Sequence, residues 1–162
     1  MDLKNKPFVN SNYEPISYDG SPITWRISAY AIIIKNKHIF LVRTKPNKFY
    51  DLPGGGIEMG ESITQALKRE ALEEAGLHIH PGKIIGYHED HFYHSDNKQF
   101  HQTLLLFLSA TTTGKQTKPT DLRVEFANFV PLNQLEKYPT YDYALKIIRD
   151  YTKTIKLTNL HV

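Results

Sequence analysis

Glu70, Glu73 and Glu74 fall within five consecutive residues of the stretch GGGIEMGESITQALKREALEEAGL, Gly54 to Leu77. Ser62 and Gln65 make an S-x-x-Q capping box that opens a helix, and Gly76 is a natural stop for it. Wound at about 100° per residue, Ile63, Ala66 and Leu67 mark an apolar stripe, and Glu70 and Glu74 land inside it, each within roughly 20° of Ile63. Glu73 lies at the edge of the stripe, while Lys68, Arg69 and Leu72 hold the other side. Like charges at this spacing repel one another and crowd the negative end of the helix. A carboxylate desolvated without a partner costs far more. A single Arg69 does not neutralise three glutamates, whereas a divalent cation does, and hard oxygen donors suit Mg²⁺ or Mn²⁺. The glycines just before the helix let the backbone approach a metal or a phosphate closely. An ion held by carboxylates and water is suited to phosphate chemistry. An arbitrary E-x-x-E-E on a helix is ordinarily a solvated face; the glycine loop beside it reverses that reading.

These acids need a scaffold, and the chain is long enough for one. Its 162 residues, 40% of them apolar, suit a single domain spanning 1–162 with a sizeable core. Residues 1–24 are polar and broken by Pro7, Pro15 and Pro22, which reads as an arm with one short edge strand. RISAYAIII (26–34) and HIFLVR (38–43) form a hairpin-like strand pair around Asn36 and Lys37, and TKPNKFYDLPGGG reads as a loop. Further strands are expected near 83–93, 101–110 and 123–130. A helical turn is expected at Pro131, Leu132 and Leu135, and a helix over 141–151 from the spacing of Ala144, Leu145, Ile147 and Ile148. Mixed strands with a few helices imply an α/β or α+β sandwich.

Composition excludes several classes of function. With no cysteine there is no disulfide, thiolate metal site or cysteine nucleophile, which fits a reducing cytoplasm. The apolar runs are strand-sized, so no membrane span is expected. A net charge of +3 from scattered residues gives no strong nucleic-acid signature but accommodates a small anionic substrate. A homodimer is left open.

The segment from Gly55 to Leu77 resembles the signature of the Nudix hydrolase family, G-x5-E-x7-R-E-U-x-E-E-x-G-U with U aliphatic. Gly55, Glu61, Arg69, Glu70, Glu73, Glu74, Gly76 and Leu77 all match, and only Ala71 is smaller than the usual aliphatic residue. FLVR, LPGGG and VPLNQL extend the similarity over roughly 30–135. The resemblance implies an α/β/α sandwich around a mixed sheet, with a loop–helix–loop carrying the signature. It implies Mg²⁺-dependent cleavage of a diphosphate bond in a nucleoside diphosphate linked to another group, or in a nucleoside triphosphate. Carried over, Glu70, Glu74 and Glu73 are the metal-binding carboxylates, with the carbonyl of Gly54 a further ligand. Arg69 and Glu61 are then groups that orient the carboxylates.

The attacking water needs a general base. Relatives place it either on a signature glutamate or in a later loop; Glu125 is the candidate there, with Asp121 its rival. His88, His91 and His94 recur every third residue, but on a strand that spacing points to opposite faces and argues against a metal site. Arg43, Lys45 and Lys48 precede the glycine loop and could meet phosphates, with solvated strand ends as the plain alternative. Trp25 is expected to pack in the protein. Two other functions compete: a nucleotide-sensing module without catalysis, which has no need of three crowded carboxylates, and an RNA-end pyrophosphohydrolase, which would want an extended basic surface.

Overall fold

Apolar residues of the central strands alternate between two separate cores, and this alternation lays the protein out in layers. The computed structural model describes residues 7–158, with only the backbone for 156–158. The first six positions of the expected arm therefore lie outside the described residues. In chain order the strands are β1 (Phe8–Val9), β2 (Pro15–Ile16), β3 (Ile23–Lys35), β4 (His38–Thr44), β5 (Gly54–Gly56), β6 (His78–His94), β7 (Gln99–Thr113) and β8 (Val124–Pro131). Helix α1 (Ile63–Ala75) follows β5, a 3₁₀ segment (Leu132–Lys137) follows β8, and α2 (Asp142–Thr158) comes last.

On β3, Ala29, Ala31 and Ile33 face one core with Phe40 and Val42 of β4 and Leu108 and Ala110 of β7. The intervening Ile32 faces the other core with Ile39, Leu41, Leu105 and Phe107. Side chains two apart share a face of a strand, so each strand feeds both sides. Leu67, Ala71 and Ala75 of α1 close the first core. Ile148 of α2 closes the second, with Leu145 and Ile147 against it. The result is the expected α/β/α sandwich.

The sheet runs β2-β1-β6-β7-β3-β4-β8, with β5 also pairing β3. Two of its neighbour pairs, β1–β6 and β3–β7, are parallel and the others antiparallel, so the sheet is mixed. The elements expected from sequence are present, and α1 has its Ser62–Gln65 capping box and its Gly76 cap. Four features differ. The arm carries two short strands, β1 and β2, where one edge strand was expected. The glycine run is not purely a loop: Gly54, Gly55 and Gly56 pair with Tyr30, Ala29 and Ser28. A side chain at Gly54 would collide with the backbone of Ala29 and Tyr30, so only glycine permits this approach. The strand expected near 83–93 is also longer, because β7 pairs with it from His78 to His94. Trp25, expected to pack, is 65% exposed on β3.

The segment after β7 docks on the end of α1. Thr117 N–H donates to Gly76 O (2.8 Å), and the N–H groups of Thr120 and Asp121 donate to Glu73 O (2.9 and 3.0 Å). Carbonyls that a helix end leaves unpaired are thereby satisfied. Gly76 has φ 63°, and a methyl group there would strike the carbonyl of Thr117. Gly76→Ala should therefore lower the unfolding free energy by at least about 1–2 kcal/mol, the cost of a left-handed non-glycine residue, before the collision is counted. Denaturant unfolding checks this; an unchanged midpoint would contradict both the left-handed strain at Gly76 and the collision with Thr117.

Candidate functional site

Arg69 is the hub of the acidic cluster. Its Nε donates to Glu61 Oε1 (2.8 Å), and its Nη2 donates to Glu61 Oε2 (3.0 Å) and to Gly56 O (3.1 Å). Its Nη1 donates to Glu70 Oε1 (2.8 Å) and Glu73 Oε2 (3.3 Å). One guanidinium thus ties the first turn before α1, the glycine strand and two helix glutamates into a single unit. Its fork geometry is what makes several carboxylates reachable at once. The Arg69 guanidinium holds the Glu61 carboxyl down at about 2.

Glu74 stands outside this arrangement. It accepts one hydrogen bond, from Gly54 N–H at 3.1 Å. Burial pushes its carboxyl up to about 8, and Glu70, Asp51 and Asp121 add like-charge repulsion. Glu70 is also raised, chiefly by burial, against the opposing pull of Arg69. The sequence wheel is realised here: the side chain of Glu70 is 14% exposed, while that of Glu73, at the stripe's edge, is 45% exposed. Gly55 matters for the same reason. A Cβ there would sit 2.5 Å from Glu70 Oε1, so the glycine strand lies directly against that carboxylate.

The other candidates are distributed as follows. Glu125 on β8 is bracketed by Arg43 Nη2 at 3.6 Å and Lys45 Nζ at 3.2 Å. Lys48 pairs with Glu14 at 3.2 Å. The basic residues that sequence put forward for phosphate are therefore each paired with an acid. Asp121 lies close enough to Glu74 to repel it, and Arg123 grips it with bonds of 2.8–3.2 Å. The three histidines do not converge. His88 stacks on Tyr143 (4.5 Å), His91 meets the edge of Phe8 (5.3 Å), and His94 approaches His101 (6.5 Å).

Sequence reasoning missed Arg26. It sits on β3 with its guanidinium 3.0–3.5 Å from where a Cβ on Gly56 would be. Among the described residues that guanidinium has no hydrogen bond or ion pair, and it faces Glu70, His94 and His101 closely enough to act on each. His94 Nδ1 and His101 Nε2 are buried without partners, and burial followed by Arg26 holds both rings below the usual imidazole range. An isolated arginine between two strand-like residues carries no sequence signal. The pairing of β3 with β5 is what brings it to the signature.

Among the described residues, no three acidic or histidine side chains converge on one point as a preformed metal cage. No helix among them is long and apolar enough to cross a membrane.

Comparison with known proteins places this geometry. The model of the NUDIX domain matches residues 24–151. An ADP-ribose pyrophosphatase of Methanocaldococcus jannaschii is 31% identical over 132 residues, covering 78% of this chain and 73% of the relative. A putative ADP-ribose pyrophosphatase of Bacillus subtilis is 28% identical over 103 residues, covering 64% of this chain; the match spans about half of that relative (49%). A NUDIX hydrolase structure from Nitrosomonas europaea superimposes with a TM-score of 0.65 at 23% identity, over 80% of this chain and 89% of the other.

The raised carboxyl of Glu74 has a consequence for stability without added metal. Between about 4.5, its ordinary value, and about 8, the folded chain holds a proton that the unfolded chain has released. Stability should therefore fall as pH rises through this window. Asp51, pushed up to about 7 by burial, acts in the same direction. In EDTA, Glu74→Gln should be more stable than wild type at pH 8, by roughly a few kcal/mol, with the gap closing toward pH 4.5. Thermal unfolding across that range checks it; a gap independent of pH would contradict the desolvation of Glu74.

Proposed function

The chain belongs to the Nudix family of hydrolases, and on that premise we propose that it cleaves the diphosphate bond of a nucleoside diphosphate linked to another group, with Mg²⁺ as cofactor and Mn²⁺ as a substitute. A cytoplasmic location and a small nucleotide substrate belong to the same proposal. The observation that carries it is Glu74: a desolvated carboxylate beside Glu70, with a single backbone N–H as partner. Such a group is costly unless a cation joins it. The pyrophosphatase names of the two sequence relatives support the same class of bond.

The donor set fits a hard divalent ion. Glu74 and the unpaired Oε2 of Glu70 offer carboxylate oxygen, and the glycine strand brings its backbone against both. A preformed cage of three side chains is not required, because Mg²⁺ keeps several waters and binds through one or two carboxylates plus substrate phosphates. When bound, the ion would lower the pKa of a water and neutralise charge on the phosphate oxygens.

The chain's own residues have separable tasks in this reading. Glu70 and Glu74 hold the ion. Glu73, on the exposed edge and shared with Arg69, is a weaker ligand than these two. Arg69 and Glu61 fix the rotamer of Glu70 and the position of the glycine strand. Arg26, which has no ion pair among the described residues, meets a substrate phosphate. Glu125 would have to leave Arg43 and Lys45 to take a proton, so its ion pairs favour a positioning role over that of base.

Turnover of nucleoside diphosphate-linked compounds, dinucleotides and nucleoside triphosphates, with Mg²⁺ or with EDTA, tests the proposal. Metal-dependent release of phosphate or nucleoside monophosphate is expected. Glu74→Gln and Glu70→Gln should each lower kcat by at least about 100-fold, the upper end of what losing a mere orienting partner costs. Glu125→Gln should cost about tenfold or less by the same scale. Activity that survives EDTA, or a Glu74→Gln variant that keeps wild-type turnover, refutes the metal assignment. A loss well beyond 100-fold in Glu125→Gln would make Glu125 the base.

A further inference from the structure

Beside the glycine strand lies a cavity of about 260 Å³, and the catalytic reading leaves part of it unexplained. Arg26 and Arg123 line it, as does Asp51, which no step above uses. The backbone of Asp51 is clamped to Val42 by two hydrogen bonds, 2.8 and 2.9 Å. The sheet therefore fixes the point from which its side chain projects. Oδ1 accepts the N–H of Leu52 at 2.8 Å, while Oδ2 has no hydrogen-bond partner among the described residues. Burial leaves this carboxyl raised to about 7, so the protein supplies little to satisfy it.

Around Asp51 stand Tyr13, Tyr30, Tyr141 and Tyr143, each close enough for its charge to act on their phenols. Tyr141 and Tyr143 stack almost in parallel, 5.4 Å apart at 5°, and Tyr13 meets Tyr141 edge-on at 5.1 Å. Of these four hydroxyls only that of Tyr141 makes a hydrogen bond among the described residues, to Ser11 O at 2.6 Å. A cavity walled in part by aromatic rings, with the under-satisfied Asp51 on its lining beside Asp90 and Asp96, suits a flat ring bearing hydrogen-bond donors. The volume admits one ring system with part of its sugar.

We propose that this cavity is the nucleobase subsite and that Asp51 selects a base presenting two adjacent N–H donors, as guanine does through N1–H and its amino group. Ionised, as it is above about pH 7, the Asp51 carboxylate is an acceptor only, and two neighbouring donors satisfy it where a carbonyl edge would face its lone pairs. Uracil, with one N–H between two carbonyls, is disfavoured. Part of the wall, Asn10 to Tyr13, lies outside the matched residues 24–151, so the subsite depends on the arm as well as on the family domain. The proposal rests on the hydrolase reading, since it identifies the group that the diphosphate carries.

Calorimetry of GMP, IMP, UMP and ribose 5-phosphate binding in EDTA at about pH 8.5, where Asp51 is ionised, isolates recognition from chemistry. Wild type should bind GMP about tenfold or more tighter than UMP, with IMP between them and ribose 5-phosphate weakest. Asp51→Asn keeps an oxygen for Leu52 N–H but turns an N–H₂ toward the base. It should weaken GMP about tenfold and leave UMP within about threefold. Equal affinity for GMP and UMP in wild type, ribose 5-phosphate matching GMP, or equal losses in the variant would each overturn the assignment. The wild-type comparison decides the matter even if the variant fails to fold. Turnover without base discrimination removes only this subsite, and discrimination without turnover removes only the hydrolase reading.

Discussion

One guanidinium serves three carboxylates while a fourth is left with a backbone N–H, and the local structure is organised around that imbalance. Arg69 satisfies Glu61, Glu70 and Glu73 by distances of 2.8–3.3 Å. Glu74 has Gly54 N–H alone, in a place where burial makes its ionised form costly. Structural ion pairs also perturb pKa values, but they do so by balancing charge. Here a second cation, Arg26, is near enough to act on Glu70 yet bonds to none of the four. A fold that leaves, among the described residues, an unpaired anion at Gly54 and an unpaired cation at Gly56 of one glycine strand is shaped for a ligand carrying both signs. A metal-bound phosphate has that character.

Keeping those charges in place requires rigidity from elements that carry none. The capping box fixes the start of α1, and the segment around Thr117 to Asp121 fixes its end. Between them Ala66, Leu67, Ala71 and Ala75 anchor the helix in the core. Three of these four residues are alanine, so the helix lies close to the sheet. The small residue at the signature's aliphatic position, Ala71, is fully buried and belongs to this close packing. Gly54 and Gly55 complete the approach from the other side, since a side chain on either would strike β3 or Glu70.

Much of this was legible in the sequence because it rests on local rules. The caps of α1, its wheel and the crowding of its glutamates depend on residues within one helix, and each was read correctly as geometry. The strand pairs around Asn36 and Lys37 were equally local. What stayed hidden depends on contacts distant in sequence. Arg26 reaches the signature only through pairing with a strand some thirty residues on, at Gly56. Asp51 is isolated in a loop until Tyr13, Tyr141 and Tyr143 arrive from both ends of the chain. Glycines have low strand propensity, so β5 is visible only once β3 is beside it. The ion pairs of Glu125 are likewise a matter of register between β4 and β8, where Arg43 opposes Phe126.

The arm is braced separately from the carboxylate cluster, which is what a division between chemistry and selection would require. Its first strand docks through Phe8, fully buried between Tyr18, His91 and Phe100, and pairs in parallel with β6 at Phe92. Its turn is held by Tyr141 from the start of α2's approach and by Lys48 N–H, which donates to Asn12 at 2.9 Å in the loop before the glycine strand. Those two anchors flank the cavity that contains Asp51. The arm is therefore positioned by the very elements that bear the aromatic wall, so a change in its sequence would alter the cavity without moving Arg69 or the helix glutamates. A fold built this way can keep its carboxylate cluster fixed while the group accepted beside it varies, because the cluster is braced by α1 and β3 and the wall is braced by the arm and α2.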